Sequence, residues 1–227
     1  MRDAGNGDHQ GETSGTRSRN AQATRRSILE AGIVEFCEHG LSGASTARIV
    51  ERAGCNIRML YHYFQSKELL YKAALQDVYD DLRSNEAGLN ILDRDPVEGI
   101  AALTAFTYDY MAATPAFIKM VLAENLMQGE FIRTIDSIPR SSRPLIDSIQ
   151  TLLDRGEASG GIKPGIDAMQ LYISIVALSF IHISSRYTLS VTFGVDLSSE
   201  RIVTERRRHV VDLIETYVKS APASLPV

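Results

Sequence analysis

The residues best able to do chemistry in this sequence crowd into one short run: Arg58, Met59, Tyr61, His62, Tyr63 and Lys67, interleaved with Ile57, Leu60 and Phe64. Guanidinium, imidazole and phenol groups at that density suit a polyanion. Arginine can fork onto guanine in a major groove, and the other polar groups can reach phosphates. At about 100° per residue, Leu60 and Phe64 share the helix face of Ile57, while Arg58, Met59, His62 and Tyr63 point away and Tyr61 lies at the border. The four consecutive ring-bearing residues Tyr61 to Phe64 cannot all enter one core, so at least two must be exposed for another purpose. Other chemistries have little support. No GxSxG, HExxH, P-loop or dinucleotide fingerprint occurs, so neither an enzyme nor a cofactor is expected. Cys37 and Cys55 are isolated and lack the paired spacing of a zinc site, so they are read as reduced thiols and no metal centre is expected.

The elements that must position this run are legible on either side of it. Residues 45–67, STARIVERAGCNIRMLYHYFQSK, have the parts of a helix-turn-helix: two short helices, a glycine in the turn, and apolar residues where the helices must pack. Ser45 or Thr46 can cap the first, Gly54 turns the chain, Asn56 can cap the second and Ser66 caps a longer helix after it. Upstream, Ile28, Leu29, Gly32, Ile33, Phe36 and Cys37 recur at helical spacing as far as a stop at His39-Gly40. Downstream, helical segments are expected near 97–113, 115–128, 143–156, 167–189 and 199–220, punctuated by prolines and paired glycines. The nearest strand candidate, Leu189–Val195, is too short to imply a sheet. The fold class is therefore all-α, with a disordered arm over 1–20, a helix-turn-helix domain over 21–67, a helical domain over 68–220 and a frayed tail over 221–227.

Charge and composition agree with that division. The 227 residues are 44% hydrophobic and 23% charged, as in an ordinary globular protein. The formal charge is −4, yet residues 17–72 carry nine Lys/Arg against five acids, leaving an excess of eight negative charges elsewhere. A basic segment in an acidic chain argues for selective rather than indiscriminate contact with nucleic acid. The start has no apolar core of a secretory signal, and the apolar stretch from Ala168 to Ile183 falls short of the roughly 20 residues of a membrane span, so a cytoplasmic location without membrane contact is expected.

Residues 46–70, above all AGCNIRMLYHYFQSKELLY, resemble the DNA-binding signature of the TetR family of transcriptional regulators, the likeness covering roughly residues 21–75. It implies that Thr46 and Arg48 open the first helix of the motif against DNA, that Arg58 and Met59 read bases, and that Tyr61, Tyr63 and Lys67 contact phosphates. Lys67 also has a physical reason for that role, since a helix amino end presents free N–H groups and a positive dipole end. Two departures are plain: Val50 replaces the usual alanine, and Arg58-Met59 replace the small pair, often Gly-Thr, that commonly opens the recognition helix. The later stretches FIKMVLAENLMQGEFIR and LYISIVALSFIHISSRYTLSVTFGVDL are similar to one branch of the family, the pyrimidine-utilisation (RutR-like) repressors. That likeness implies about nine helices, a C-terminal ligand-binding and dimerisation domain, and a four-helix interface made by the last two helices of each subunit. Leu171, Ile175, Leu178, Val203, Val210, Leu213, Ile214 and Tyr217 supply an apolar stripe for it.

The implied function is a homodimeric regulator on double-stranded operator DNA, a repressor released from a palindromic operator by a small-molecule effector, for which a pyrimidine-like molecule is the first candidate. A helical adaptor acting through protein contacts and a ligand-activated DNA binder are the alternatives. Tyr108, Met111, Met120, Asn125, His182 and Arg186 are candidates for the effector pocket, although Tyr108, Met111 and Met120 equally suit a core and His182 with Arg186 equally suits an internally satisfied polar cluster.

Overall fold

The computed structural model describes residues 11–219, and of residues 11–18 the backbone alone. It contains ten α-helices: α1 (Gly11–Gly43), α2 (Thr46–Arg52), α3 (Ile57–Phe64), α4 (Lys67–Ala87), α5 (Pro96–Ala113), α6 (Pro115–Leu126), α7 (Ser137–Ala158), α8 (Ala168–Ser184), α9 (Arg186–Phe193) and α10 (Glu200–Val218). Two 3₁₀ turns, Ile91–Asp93 and Ile132–Thr134, complete the order. Among the described residues there is no strand, only an isolated bridge between Ile162 and Lys219. The all-α expectation therefore holds, with ten helices where about nine were expected. The extra one arises because the segment read as one helix over 167–189 breaks at Ser185 (φ −109°, ψ 10°), and α8 and α9 meet at 71°. The strand candidate Leu189–Val195 is mostly the second half of α9.

The arm expected over 1–20 lies outside the described residues as far as residue 10, but from Gly11 the backbone is helical, in contrast to an unstructured reading. The tail over 221–227 also lies outside the described residues. Among the described residues no single helix is long and apolar enough to cross a membrane.

The chain divides into two compact units, one ending at Leu75 and one starting at Gln76. In the first, Ile28, Phe36, Ile49, Leu60, Phe64, Leu70 and Tyr71 are buried, and the Tyr71 ring meets Phe36 edge-on at 5.1 Å. This packing explains why the unit extends past Lys67, where the motif ends, through the first turns of α4. The core of the second gathers Ile100, Leu103, Ile149, Leu152, Leu171, Ile175, Ile214 and Val218 from α5, α7, α8 and α10. Four of the residues expected at a dimer interface, Leu171, Ile175, Val210 and Ile214, are buried within this unit. Their assignment is corrected: they are core, and the outward apolar residues of the same helices are Met169, Ile173, Ile181, Leu213 and Tyr217.

Candidate functional site

The helix-turn-helix is held by local chemistry that the residue types dictate. Ser45 caps α2, its hydroxyl accepting from the Arg48 amide, and the Asn56 Oδ1 accepts from the Met59 amide at 3.1 Å to start α3. Between them α2 ends on paired hydrogen bonds from Gly54 N to Glu51 O (3.1 Å) and from Cys55 N to Val50 O (3.0 Å). That closure needs a residue in the left-handed region, which Gly54 supplies at φ +64° without a side-chain penalty. Ser66 then caps α4 by accepting from Leu69 N at 3.1 Å.

On α3, Leu60 and Phe64 are buried while Arg58, Tyr61 and His62 are exposed, and Met59 and Tyr63 lie half-buried. The wheel reading erred on Ile57, which is 39% exposed, because at the first turn of a short helix the core face has not yet met a neighbour. The His62 and Tyr63 rings stand edge to face at 5.0 Å on the same helix as the exposed Arg58. Thr46 and Asn56 flank this surface at the first residue of α2 and the cap of α3.

Arg48 and Lys67 are engaged within the unit. Arg48 Nε donates to Glu35 Oε1 at 2.8 Å, and its Nη2 donates to the Gly43 carbonyl at 2.9 Å. The same Glu35 oxygen accepts from the Ser45 amide at 2.8 Å. A fully buried carboxylate on α1 therefore grips both the cap residue and the first turn of α2. Burial pushes the Glu35 carboxyl up, but the Arg48 hydrogen bond, the Ser45 amide and the Arg48 and His39 charges outweigh it and hold the group below the usual carboxylate range. Lys67 Nζ donates to the Ala44 carbonyl at 3.1 Å, which fixes the start of α4 beside the entry to α2. Arg52 adds a contact to Glu38 at 3.1 Å. Sequence reasoning missed Glu35. Its signal was an acid inside the otherwise apolar stripe of α1, ten residues before a cap.

In the second unit the six residues expected at a ligand pocket do not all line one cavity, although Tyr108 and His182 come together. Tyr108, Met111 and Met120 are buried core, and the Tyr108 hydroxyl pairs with His182 Nδ1 at 2.6 Å. His182 Nε2 lies 3.1 Å from the Leu197 carbonyl, so that nitrogen carries the proton and the tyrosine donates to the other. Both ring nitrogens are thus engaged. Burial pushes the His182 pKa down, as do the charges of Arg206 and Arg186, and pushes the Tyr108 hydroxyl up to about 12, so the pair is neutral at physiological pH. Asn125 is exposed and donates to the Val121 carbonyl of its own helix. Arg186 lines a cavity of about 250 Å³ with Pro115, Ile118, Lys119 and Tyr187. A larger one of about 370 Å³ is walled by Arg83, Glu86, Asn90, Ile91, Leu145 and Ser148, with Glu86 accepting from Tyr172 at 2.8 Å and from Arg83.

Three buried polar atoms of the second unit were not anticipated, one of them the Nε of Arg186, which has no hydrogen-bond partner. Arg83 Nε and Glu124 Oε1 have no hydrogen-bond partner, although the other Glu124 oxygen accepts from Phe131 N (3.3 Å) and Ile132 N (2.9 Å). Both side chains act electrostatically on Tyr79, whose hydroxyl is pushed up mainly by burial, lowered by Arg83 and raised by Glu124.

Two family models match. Residues 28–74 fit the bacterial regulatory proteins of the tetR family, and residues 96–214 fit the tetracyclin repressor-like C-terminal domain. The chain is similar to the HTH-type transcriptional repressor NicS of Pseudomonas putida, at 31% identity over 88% of this chain and 94% of that protein. It is also similar to the HTH-type transcriptional regulator RutR of Escherichia coli K12, at 29% identity over 73% and 76% of the two chains. Among solved structures, a TetR transcriptional regulator from Chloroflexus aurantiacus superposes with a TM-score of 0.68 at 20% identity, over 89% of this chain and all of that one.

Proposed function

This chain belongs to the TetR family of bacterial regulatory proteins, and from that premise we propose that it is a dimeric repressor whose α3 reads an operator and whose second unit takes a small effector. The observation that carries the reading is the exposed Arg58, Tyr61 and His62 surface of α3, mounted on a unit pinned by Glu35. Two such helices in a dimer reach successive major grooves about 34–36 Å apart, so the operator is roughly palindromic. Arg58 and Met59 read bases, with Thr46 and Arg48 at the opening of α2. Tyr61, Tyr63 and Lys67 position the phosphates. Arg58→Ala should relax preference at one or two base positions. Lys67→Ala should weaken all sequences alike and lower the salt dependence by about one counterion. Position-resolved binding across a salt series checks this, and the reverse pattern would refute the division of roles.

The effector, in this reading, is a small planar imide such as a pyrimidine. An imide edge alternates carbonyl acceptors with an N–H donor, the complement of an arginine N–H and a carboxylate oxygen. The unpartnered Arg83 Nε and Glu124 Oε1 support this assignment, as does the likeness to RutR over 73% of this chain. Uracil and thymine titrated calorimetrically into free and operator-bound protein should bind the free form more tightly, since a releasing effector must discriminate the two states. Glu124→Gln should weaken that binding by about tenfold, the loss of one charge-assisted hydrogen bond. Equal affinity for both states, or none at millimolar concentration, would remove the pyrimidine and leave the DNA-binding reading intact.

A further inference from the structure

Near the carboxyl end of the long straight part of α1, Glu35, Glu38 and His39 follow one another at i, i+3 and i+4, the spacing that puts side chains on one helix face. One ligand atom from each lies within 4.8 Å of the other two. His39 Nε2 stands 3.9 Å from Glu35 Oε2 and 3.9 Å from Glu38 Oε2. What separates this cluster from ordinary surface charge is Glu35. Its side chain is 0% exposed, its Oε1 is taken by the Ser45 amide and Arg48, and its Oε2 is buried without a hydrogen-bond partner. Leaving a carboxylate oxygen shut off from both water and a donor is costly, and that oxygen points at the imidazole.

We propose that Glu35 Oε2, the Glu38 carboxylate and His39 Nε2 form a divalent transition-metal site, filled best by Zn²⁺. Imidazole among the ligands favours a late first-row ion over Mg²⁺ or Ca²⁺, which take oxygen. Zinc bonds of about 2.0–2.2 Å in a tetrahedron place ligand atoms roughly 3.4 Å apart, so the three groups need only close slightly. The half-exposed Glu38 and His39 side chains can supply that movement by rotation, and the same open side admits water as the fourth ligand. Glu35 would then bridge the ion on one oxygen and the start of α2 on the other, while Glu38 turns from Arg52. The arginines at hand, Arg48 and Arg52, oppose a cation, so binding should be micromolar and not tighter.

Full-length protein carrying Cys37→Ser and Cys55→Ser, which removes competing thiolates, is titrated with ZnCl₂ and separately with MgCl₂ by calorimetry. One zinc per chain, no magnesium heat, and a thermal midpoint raised by saturating zinc are expected. His39→Ala and Glu38→Gln in that background should each weaken zinc binding at least tenfold. Circular dichroism of the zinc-free variants confirms their folding, since neither side chain is buried. No zinc binding in the thiol-free protein, or undiminished binding in both variants, overturns the site.

Discussion

Leu213→Glu should convert the protein to a monomer and weaken operator binding by at least two orders of magnitude. Leu213 is 42% exposed on α10, Tyr217 of the same helix is 50% exposed, and Ile173 on α8 is 51% exposed. Between the two helices runs a shallow groove of about 530 Å³ lined by Ser174, Ala177, Leu178, Leu213, Ile214 and Tyr217. An apolar patch of this extent on one subunit marks an interaction surface, and a self-complementary pair of helices is what a two-fold dimer needs. In such a dimer the substituted carboxylate enters the interface twice, facing apolar partners. An unpaired buried charge costs about 3–5 kcal/mol, more than a hundredfold in association. Operator affinity should follow, because a monomer presents one recognition helix where the duplex offers two half-sites. Sedimentation with an operator-binding titration reads both, and Leu213→Ala should remain dimeric at moderate concentration. A Leu213→Glu protein that sediments as a dimer and binds operator normally would place the interface elsewhere.

The sequence made the motif legible because its parts are local. Caps at Ser45, Asn56 and Ser66, and the left-handed turn at Gly54, depend on residues within three or four positions of each other, and each is where its residue type requires. The faces of α8 were not legible for a matching reason. The helix is apolar nearly all round, so periodicity alone cannot say which side meets the core. Leu171 and Ile175 turned out to face inward, and Met169, Ile173 and Ile181 outward. Arg48 shows the same limit in the binding unit. Its position near the start of α2 was readable, but its engagement by a carboxylate thirteen residues earlier was not, because no local rule joins them. Asn125 failed similarly: a polar residue on an apolar helix can turn back to its own backbone as easily as inward.

Glu35→Ala should destabilise the DNA-binding unit by about 2–3 kcal/mol and abolish operator binding before it unfolds the rest of the chain. The substitution leaves the Ser45 amide without its acceptor and frees the first turn of α2 from α1. Breaking a buried ion pair costs up to about 5 kcal/mol, but Arg48 is half exposed and can return to water, so the smaller figure applies. The pH dependence distinguishes this account from simple loss of packing. The folded Glu35 carboxyl titrates below its ordinary value of 4.5, so the unfolded chain binds its proton first as pH falls. The stability it contributes is therefore complete above 4.5 and is lost as pH drops through the lower folded value. Denaturant unfolding between about pH 3 and 6 should show this loss in the native sequence and a flatter acid limb in Glu35→Gln, whose amide does not titrate. EDTA in every sample keeps any bound ion out of the comparison. If Glu35→Gln followed the native pH slope, the grip of this carboxylate on α2 would not be what holds the reading head in place.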